Sequence, residues 1–231
     1  MKILHIVCTP RGHASNTARI SQVFLEALHE RYDDLMVKTL DLFLEDLPAV
    51  AGKNIESKYA LMTGQSLDGS QATSWKQIEK NIERFLDADL YLLTVPMWNL
   101  SIPYALKYYI DAIVQPGYLF RYNEAGVPEG LVKGKKMVCV TSSGGDYSGE
   151  YTRGLNFVEP YLRAIFGFVG ITDMHFINAQ TMDITPDLRK QSLKNAISDA
   201  RALATGYEWK TSADVPPVPV ASSSSPDQQG K

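Results

Sequence analysis

The segment Ala88-Asp89-Leu90-Tyr91-Leu92-Leu93-Thr94-Val95 decides the fold of this chain. Its apolar residues follow one another without the polar alternation of a half-exposed strand, so the pattern predicts a strand that is buried on both faces. The segment 136–141, with the sequence KMVCVT, has the same character. Strands of this kind occur in parallel sheets that are covered by helices on both sides.

Three further segments have strand character, and five have the helical spacing of apolar residues. The strands are 2–8, 36–42 and 171–177, of which the last alternates as an edge strand does. The helices, several of which open with Ser, Thr or Pro, are 15–30, 74–86, 103–114, 152–168 and 185–205. This alternation predicts an α/β fold, with a five-stranded parallel sheet and helices on both faces.

Two internal segments and the C-terminus do not follow that pattern. Residues 47–66 give mixed signals, and residues 117–134 are rich in turn-forming and aromatic residues, which predicts a structured excursion between a helix and a strand. After Trp209 the composition changes to Pro, Ser, Asp and Gln, which cannot bury a core. We therefore expect a single domain over residues 1–209 and a flexible Pro/Ser-rich tail over 210–231.

Composition excludes several classes of function. The 231-residue chain has a net charge of -3, so no nucleic-acid or anionic-membrane partner is expected. The N-terminal apolar run 3–8 is too short for a signal peptide, and no run approaches the ~20 residues that span a bilayer. Cys8 and Cys139 lie in apolar runs and are expected to be buried and reduced, which indicates the cytoplasm. No histidine has metal-ligand spacing, so no metal site is expected.

The loop after the first strand has the composition of an anion site. Thr9 and the run Ser15-Asn16-Thr17 flank the start of the first helix, where unpaired backbone N–H groups and the helix dipole favour a phosphate. An ordinary helix cap at Ser15 would account for the same residues. The loop has neither a G-x-G-x-x-G nor a G-x-x-x-x-G-K-[ST] pattern, which argues against a Rossmann dinucleotide site and a P-loop hydrolase.

The loops after the third and fourth predicted sheet strands complement the first. Pro96-Met97-Trp98-Asn99-Leu100 places apolar surface on both sides of one amide, which suits a flat aromatic ligand. In Ser142-Ser143-Gly144-Gly145, the paired glycines let the backbone approach a ligand edge. Either loop alone would also fit an ordinary turn. Because ligands bind beyond the carboxyl ends of strands in such a sheet, the three loops together predict an FMN site.

These motifs resemble the FMN-dependent NADH-azoreductases and the related NAD(P)H-quinone reductases of flavodoxin-like fold. The similarity covers residues 1–207 and includes Pro103, Leu106-Lys107, Phe120-Arg121-Tyr122 and Glu129-Gly130-Leu131 besides the three loops. By resemblance, the first loop binds the FMN phosphate, the second the isoalloxazine, and the third its pyrimidine edge. The expected cofactor-binding residues are Thr9, Ser15, Asn16, Thr17, Pro96, Met97, Trp98, Asn99, Leu100, Ser142, Ser143, Gly144, Gly145 and Tyr147.

Two of these positions qualify the resemblance. Trp98 stands where a Tyr is common in the family, which puts in doubt any role that needs the phenol. Tyr147 aligns with a position whose side chain reaches the O2 side of the flavin and would stabilise charge on the reduced ring. A surface tyrosine without a role is the alternative at that position.

The resemblance also implies an activity. In a ping-pong reaction, NADH or NADPH reduces the flavin, and a quinone or azo compound then reoxidises it, so no catalytic side chain is expected. The family builds its acceptor pocket from aromatics contributed across a homodimer interface; Phe120, Tyr122 and Phe168 are candidates for it, with core packing as the alternative. A flavodoxin-type electron carrier that does not itself oxidise NAD(P)H is the second interpretation, although such carriers are shorter and more acidic.

Overall fold

The computed structural model describes residues 1–210, in which strands and helices alternate. The strands are β1 (Lys2–Val7), β2 (Met36–Asp41), β3 (Leu90–Pro96), β4 (Phe120–Tyr122), β5 (Pro128–Gly130), β6 (Lys136–Ser142) and β7 (Asp173–Ala179). The helices are α1 (Asn16–Arg31), α2 (Lys53–Met62), α3 (Gly69–Leu86), α4 (Tyr104–Ile113), α5 (Val158–Phe168) and α6 (Pro186–Gly206). Short 3-10 turns lie at Gly12–Ala14 and Arg153–Leu155.

Five of the strands form one parallel sheet in the order β2-β1-β3-β6-β7. The connections leave β1 and β3 in opposite directions, so a crevice opens beyond the carboxyl ends of these two strands. The predicted five-stranded parallel sheet is confirmed, and β7 is an edge strand, as its alternating sequence indicated. Its bounds are shifted by two residues from the predicted 171–177.

The central strand β3 is buried on both faces. Leu90 and Leu92 pack in a core beneath α1 and α6, whereas Tyr91 and Leu93 pack in a second core beneath α3, α4 and α5. All four side chains are fully buried, and burial of each leucine contributes about 1.5–3 kcal/mol relative to an exposed position. The interpretation of residues 88–95 as a doubly buried strand is confirmed.

The start of α3 differs from the predicted Ser74. The helix begins at Gly69 because Asp68 caps it: its Oδ1 accepts hydrogen bonds from the N–H groups of Ser70 and Gln71, both at 2.8 Å. The side-chain Oε1 of Gln71 in turn accepts the N–H of Asp68 at 3.1 Å. This reciprocal capping box provides the local signal that apolar spacing alone does not show.

Helices α5 and α2 also depart from the sequence prediction. α5 begins at Val158 and not at 152, because the Oδ1 of Asn156 accepts the N–H of Val158 at 3.0 Å and the preceding residues form a 3-10 turn. α2 lies inside the segment 47–66, to which no element was assigned. Its buried residues are the polar Asn54 and Ser57, so it lacks the apolar stripe by which a helix is identified.

The excursion at 117–134 contains the antiparallel hairpin of β4 and β5, in which Phe120 pairs with Gly130. A Cβ on Gly130 would lie 2.4 Å from the backbone nitrogen of Gly170, so glycine is needed where the hairpin meets the segment after α5. The chain enters β7 at Asp173, directly after that segment. The hairpin therefore lies at the amino edge of the sheet.

The last described residues are anchored at the same amino edge. Trp209 is fully buried, and its Nε1 donates to the carbonyl of Ala204 at 3.2 Å. The guanidinium of Arg31 donates to the carbonyl of Thr205 at 3.0 Å and lies 3.3 Å from a carboxylate oxygen of Glu208. The tail predicted over 210–231 lies, from residue 211 onward, outside the described residues.

Two sequence predictions, buried free cysteines and no membrane-spanning segment, can be compared with the described residues. Cys8 and Cys139 are free thiols and fully buried, as predicted. Burial raises the pKa of both thiols, which keeps them protonated. Between residues 1 and 210, no helix combines the length and the apolar composition needed to cross a membrane.

Candidate functional site

Three loops meet at the carboxyl edge of the sheet: the cradle (residues 9–17), the platform (96–100) and the glycine loop (142–145). They follow β1, β3 and β6, which are neighbours in the sheet. The N–H of Met97 donates to the carbonyl of Ser142 at 2.7 Å, which joins the platform to the glycine loop. The N–H of Cys8 donates to the carbonyl of Thr94 at 3.0 Å, which brings the cradle beside β3. The structure thus brings together the residues of all three loops.

The cradle ends in a capped helix start. The Oγ of Ser15 accepts the N–H of Ala18 at 3.4 Å and lies 2.8 Å from the Oγ1 of Thr17. Thr9, Ser15 and Thr17 are all buried, so three hydroxyl groups lie around the first turn of α1. Ser15 is therefore a helix cap, and the helix start still directs the positive end of its dipole at the loop.

The platform contains a tight turn with unusual backbone angles. Trp98 and Ser101 exchange two backbone hydrogen bonds, of 2.8 and 3.0 Å, around Asn99 and Leu100. Both central residues have positive φ, 48° and 71°, as a type I′ turn requires. Asn tolerates this conformation, whereas Leu adopts it rarely. Strained residues of this kind concentrate at functional sites.

An aromatic cluster holds the side chain of Trp98. Phe43, in the loop after β2, lies 5.7 Å from Trp98 between ring centroids, and Tyr104, at the start of α4, lies 6.2 Å from it. Phe43 and Tyr104 meet edge to face at 5.7 Å. Phe43 was not predicted as a site residue from the sequence, although its place after the second strand is a signal of the same kind as those that identify the three loops.

A cavity of about 660 Å³ opens beside the platform. Four of its nine lining residues are aromatic and come from the platform, α4 and α5, and its wall contains one ion pair, between Lys107 and Asp111 at 2.7 Å. Burial and the nearby Asp111 raise the pKa of Tyr161 to about 12. The lining residues are Trp98, Asn99, Ser101, Ile102, Tyr104, Lys107, Tyr108, Asp111 and Tyr161.

The glycine loop packs against a turn that follows β7, residues 180–183, which we call the bracing turn. The carbonyls of Ser143, Gly144 and Gly145 each accept one N–H from this turn, at 3.0 Å. The bracing turn was not predicted from the sequence, because the prediction rested on the loops after the first, third and fourth sheet strands. The same carboxyl-edge rule, applied to the fifth strand, identifies it.

Tyr147 lies next to the glycine loop. A Cβ built on Gly145 would be 3.5 Å from the Cε2 of Tyr147, so the ring packs against the glycine backbone. The N–H of Tyr147 donates to the side-chain Oε1 of Gln180 at 2.5 Å. The structure thus groups Tyr147 with the expected cofactor-binding residues.

The three candidate acceptor-pocket residues lie elsewhere in the chain. Phe120 packs against Phe168 at 4.8 Å and against Tyr122 at 5.7 Å between ring centroids. This cluster is at the amino edge of the sheet, next to the hairpin and the end of α5. A seven-residue strand such as β6 separates the two edges by roughly 20 Å. Within one chain, therefore, these aromatics and the platform do not line a common pocket.

Three basic side chains lie near the three loops or the hairpin, two of them in ion pairs and one exposed. Arg121 and Lys133 both pair with Glu129, at 3.1 and 2.9 Å. Arg11 is exposed on the cradle. No group of three or more His, Cys, Asp and Glu side chains that could hold a metal occurs within residues 1–210.

Comparison with known proteins relates this geometry to a family. A family model described as a flavodoxin-like fold matches residues 1–204. An FMN-dependent NADH:quinone oxidoreductase of Nitratidesulfovibrio vulgaris is 35% identical over 207 residues, covering 89% of this chain and 99% of the relative. One of Ruegeria pomeroyi with the same name is 37% identical over 187 residues, covering 80% of this chain and 92% of the relative.

Solved structures with a fold similar to that of this chain include azoreductases. An azoreductase from Bacillus anthracis superposes with a TM-score of 0.82 at 27% identity, covering 90% of this chain and 100% of that one. An FMN-dependent NADH-azoreductase of the same species, in complex with FMN, superposes with a TM-score of 0.77 at 26% identity, covering 88% and 99%. The chain belongs to the flavodoxin-like family that includes the FMN-dependent NADH:quinone oxidoreductases.

Proposed function

We propose that this protein is an FMN-dependent NADH:quinone oxidoreductase that also reduces azo compounds. The observation that carries the proposal is the meeting of the cradle, the platform and the glycine loop at the carboxyl edge of the sheet. The relatives at 35% and 37% identity carry the name of this activity, and the structural neighbours are azoreductases. These names favour the enzyme over a flavodoxin-type electron carrier.

The residues of the three loops fit the parts of FMN. The start of α1, with the buried hydroxyls of Thr9, Ser15 and Thr17, offers donors to a phosphate. The platform offers the flat apolar surface of Trp98 and its neighbours to a ring system. A Cβ on Gly144 would lie 2.6 Å from the Oδ2 of Asp183, so glycine at this position lets the bracing turn pack closely. The polar ligand edge would meet the peptide N–H groups on the other side of this backbone. Asn16, Pro96, Met97, Asn99, Leu100, Ser142, Ser143 and Tyr147 complete the proposed site.

Bound FMN would supply the redox chemistry that links NADH to the acceptor. The chain has to bind the cofactor, orient it and leave one face accessible. Peptide N–H groups of the glycine loop would stabilise negative charge on the pyrimidine edge of the bound ring. The rigid turn at Asn99 and Leu100 keeps the platform in one arrangement. No acidic or basic side chain is required for proton transfer.

NADH is the proposed electron donor. Discrimination in favour of NADPH needs a cation that binds the 2′-phosphate. Of the cations near the candidate regions, Arg121 and Lys133 already pair with Glu129. Arg11 is exposed on the cradle. If the protein also oxidises NADPH, replacement of Arg11 should lower the rate with NADPH and leave the rate with NADH unchanged.

The proposed active form is a homodimer with sites shared between the copies. The cavity beside the platform is bordered by exposed aromatics of α4; Tyr104 is 69% and Tyr108 38% exposed. Exposed apolar surface of this kind is typical of interfaces. A second copy would cover it and would place its own Phe120, Tyr122 and Phe168 over the platform. This arrangement accounts for the separation of these aromatics from the platform within one chain.

We place the protein in the cytoplasm. Both cysteines are free and buried, and proteins of oxidising compartments more often carry disulfides. The quinone and azo acceptors are small molecules, so the proposal requires neither a nucleic acid nor a membrane as partner.

Anaerobic absorption spectroscopy tests the proposed function. The purified protein, loaded with FMN, is mixed with NADH or NADPH and then with a benzoquinone or an azo dye. We expect NADH to bleach the flavin bands and either acceptor to restore them. Bound flavin that neither nicotinamide reduces would support the electron carrier, and a failure to bind FMN would overturn the proposal.

A further inference from the structure

Three consecutive carbonyls of the glycine loop accept hydrogen bonds from the bracing turn. The N–H of Met182 donates to Ser143, that of Asp183 to Gly144, and that of Thr181 to Gly145, each at 3.0 Å. In a trans peptide unit, the C=O of one residue and the N–H of the next point in opposite directions. No cis peptide bond occurs in the described chain. The N–H groups of Gly144, Gly145 and Asp146 therefore point away from the bracing turn.

Away from the bracing turn means towards the platform, because β6 lies between β7 and β3 in the sheet. None of these three N–H groups donates to an acceptor within residues 1–210. Consecutive peptide N–H groups on one side of the backbone form a site for an anion or an electron-rich oxygen. The bracing turn thus sets the direction of three adjacent donors.

The bracing turn is itself held in a costly conformation. Thr181 has a positive φ of 62°, which is an outlier for a β-branched residue. Arg189, in the first turns of α6, fixes the turn from outside: it lies 2.9 Å from a carboxylate oxygen of Asp183 and donates to the carbonyl of Met182. In addition, the N–H of Tyr147 donates a hydrogen bond to the side-chain Oε1 of Gln180. Side chains of α6 and of the bracing turn therefore determine the geometry of a loop that follows β6.

We infer that Gln180 and Arg189 are positioning residues, which hold the bracing turn so that the N–H groups of Gly144, Gly145 and Asp146 face the pyrimidine edge of the flavin. This inference rests on the proposed FMN site. Donors in this place stabilise the negative charge of the reduced ring more than they stabilise the oxidised ring. The two side chains therefore act on the redox potential without touching the cofactor.

The test compares Arg189→Met with Arg201→Met, which removes an exposed arginine of the same helix that pairs with Glu30 at 3.2 Å, away from the site. The FMN dissociation constant of the apoprotein and the midpoint potential of bound FMN are measured for both. For Arg189→Met we expect a dissociation constant about tenfold higher, the equivalent of one hydrogen bond, and a more negative potential. Arg201→Met should match the wild type in both.

A pair of substitutions at Gln180 adds an independent readout. Gln180→Met removes the acceptor for the N–H of Tyr147 and should lower the potential, whereas Gln180→Asn keeps a neutral amide oxygen and should come closer to the wild type. A merely structural role would change the melting temperature and leave the potential unchanged. If the wild type binds FMN but Arg189→Met and Gln180→Met keep its potential and affinity, the inference alone is wrong. If the wild type binds no FMN, the proposed function is wrong as well.

Discussion

The backbone N–H of Phe157 donates a hydrogen bond to the carbonyl oxygen of Leu100, across an N···O distance of 2.9 Å. Leu100 has the higher positive φ of the two central residues in the platform turn. The bond attaches this turn to the residue that precedes α5. A non-glycine residue in this region costs about 1–3 kcal/mol and persists only when its surroundings hold it there. The contact with Phe157 is part of that support.

Substitution of Leu100 by glycine removes the cause of this cost. We expect Leu100→Gly, without cofactor, to have a free energy of unfolding equal to the wild type or higher by up to about 1 kcal/mol. Leu44→Gly is the matched control, because Leu44 is an exposed loop leucine whose φ is not positive. Urea unfolding of both variants measures the difference. Equal destabilisation by the two substitutions would show that the turn is not strained.

The aromatic cluster predicts a graded effect on FMN binding. Trp98→Ala should raise the FMN dissociation constant roughly tenfold, since it removes the main aromatic surface of the platform, whereas Trp98→Tyr should come close to the wild type. Phe43→Ala should have an intermediate effect, because Phe43 packs against Trp98. Phe176→Ala, which removes a ring on β7 that packs under Arg163, is the control. Fluorescence titration of the apoprotein with FMN measures these dissociation constants. A dissociation constant of Phe43→Ala equal to that of the control would contradict the prediction.

The buried imidazole of His5 leads us to expect that the folded protein loses stability in weak acid. Burial lowers the pKa of this imidazole to about 4, and its Nε2 lies 2.8 Å from the Oγ1 of Thr94. Between that pKa and the ordinary value near 6.5, the unfolded chain binds a proton that the folded chain does not. Stability is therefore complete above about pH 6.5 and falls as the pH is lowered towards 4, by about 1–3 kcal/mol once the partial exposure of the ring is allowed for.

Urea unfolding at pH 7 and pH 4.5 measures this effect. His5→Gln should show a smaller difference in unfolding free energy between the two pH values than the wild type does. His29→Gln, at an exposed position near the end of α1, should leave the difference unchanged. If His5→Gln keeps the wild-type pH dependence, another group causes it.

The shared-site dimer predicts complementation between two defective variants. Trp98→Ala damages the platform and Phe168→Ala the distant aromatic cluster, so each homodimer should reduce quinone poorly. In a heterodimer, one site carries both defects and the other carries neither. Random pairing of equal amounts should restore about a quarter of the wild-type rate. If refolding the two variants together gives no more activity than the average of the separate preparations, each site lies within one chain.

The sheet was predictable because its strands are buried. Leu90 to Leu93 form an apolar run that only a doubly covered strand requires, and the structure places it at the centre of the sheet. α2 was not predictable in the same way, since it packs through Asn54 and Ser57 and has no apolar stripe. The missed start of α3 depends on the hydrogen bonds of Asp68, which residue spacing alone does not weigh.

The site was predictable only where residue types carry the chemistry. The hydroxyl-bearing residues of the cradle and the paired glycines of the glycine loop can be read directly from the sequence. The direction of the N–H groups in the glycine loop is not, because it depends on hydrogen bonds to residues almost 40 positions later in the chain. Likewise, the sequence did not show that Phe120 and Phe168 lie at the edge opposite the platform. That separation follows from the direction of α4 and α5 across the sheet.

The burial of both cysteines has a consequence for a protein that handles quinones. Quinones are electrophiles, and a thiolate attacks them and becomes covalently arylated. Cys8 and Cys139 are the only two cysteines of the chain, and each is inaccessible and held in the protonated form by burial. The chain therefore presents no accessible thiolate to a quinone, which closes the route of arylation at sulfur.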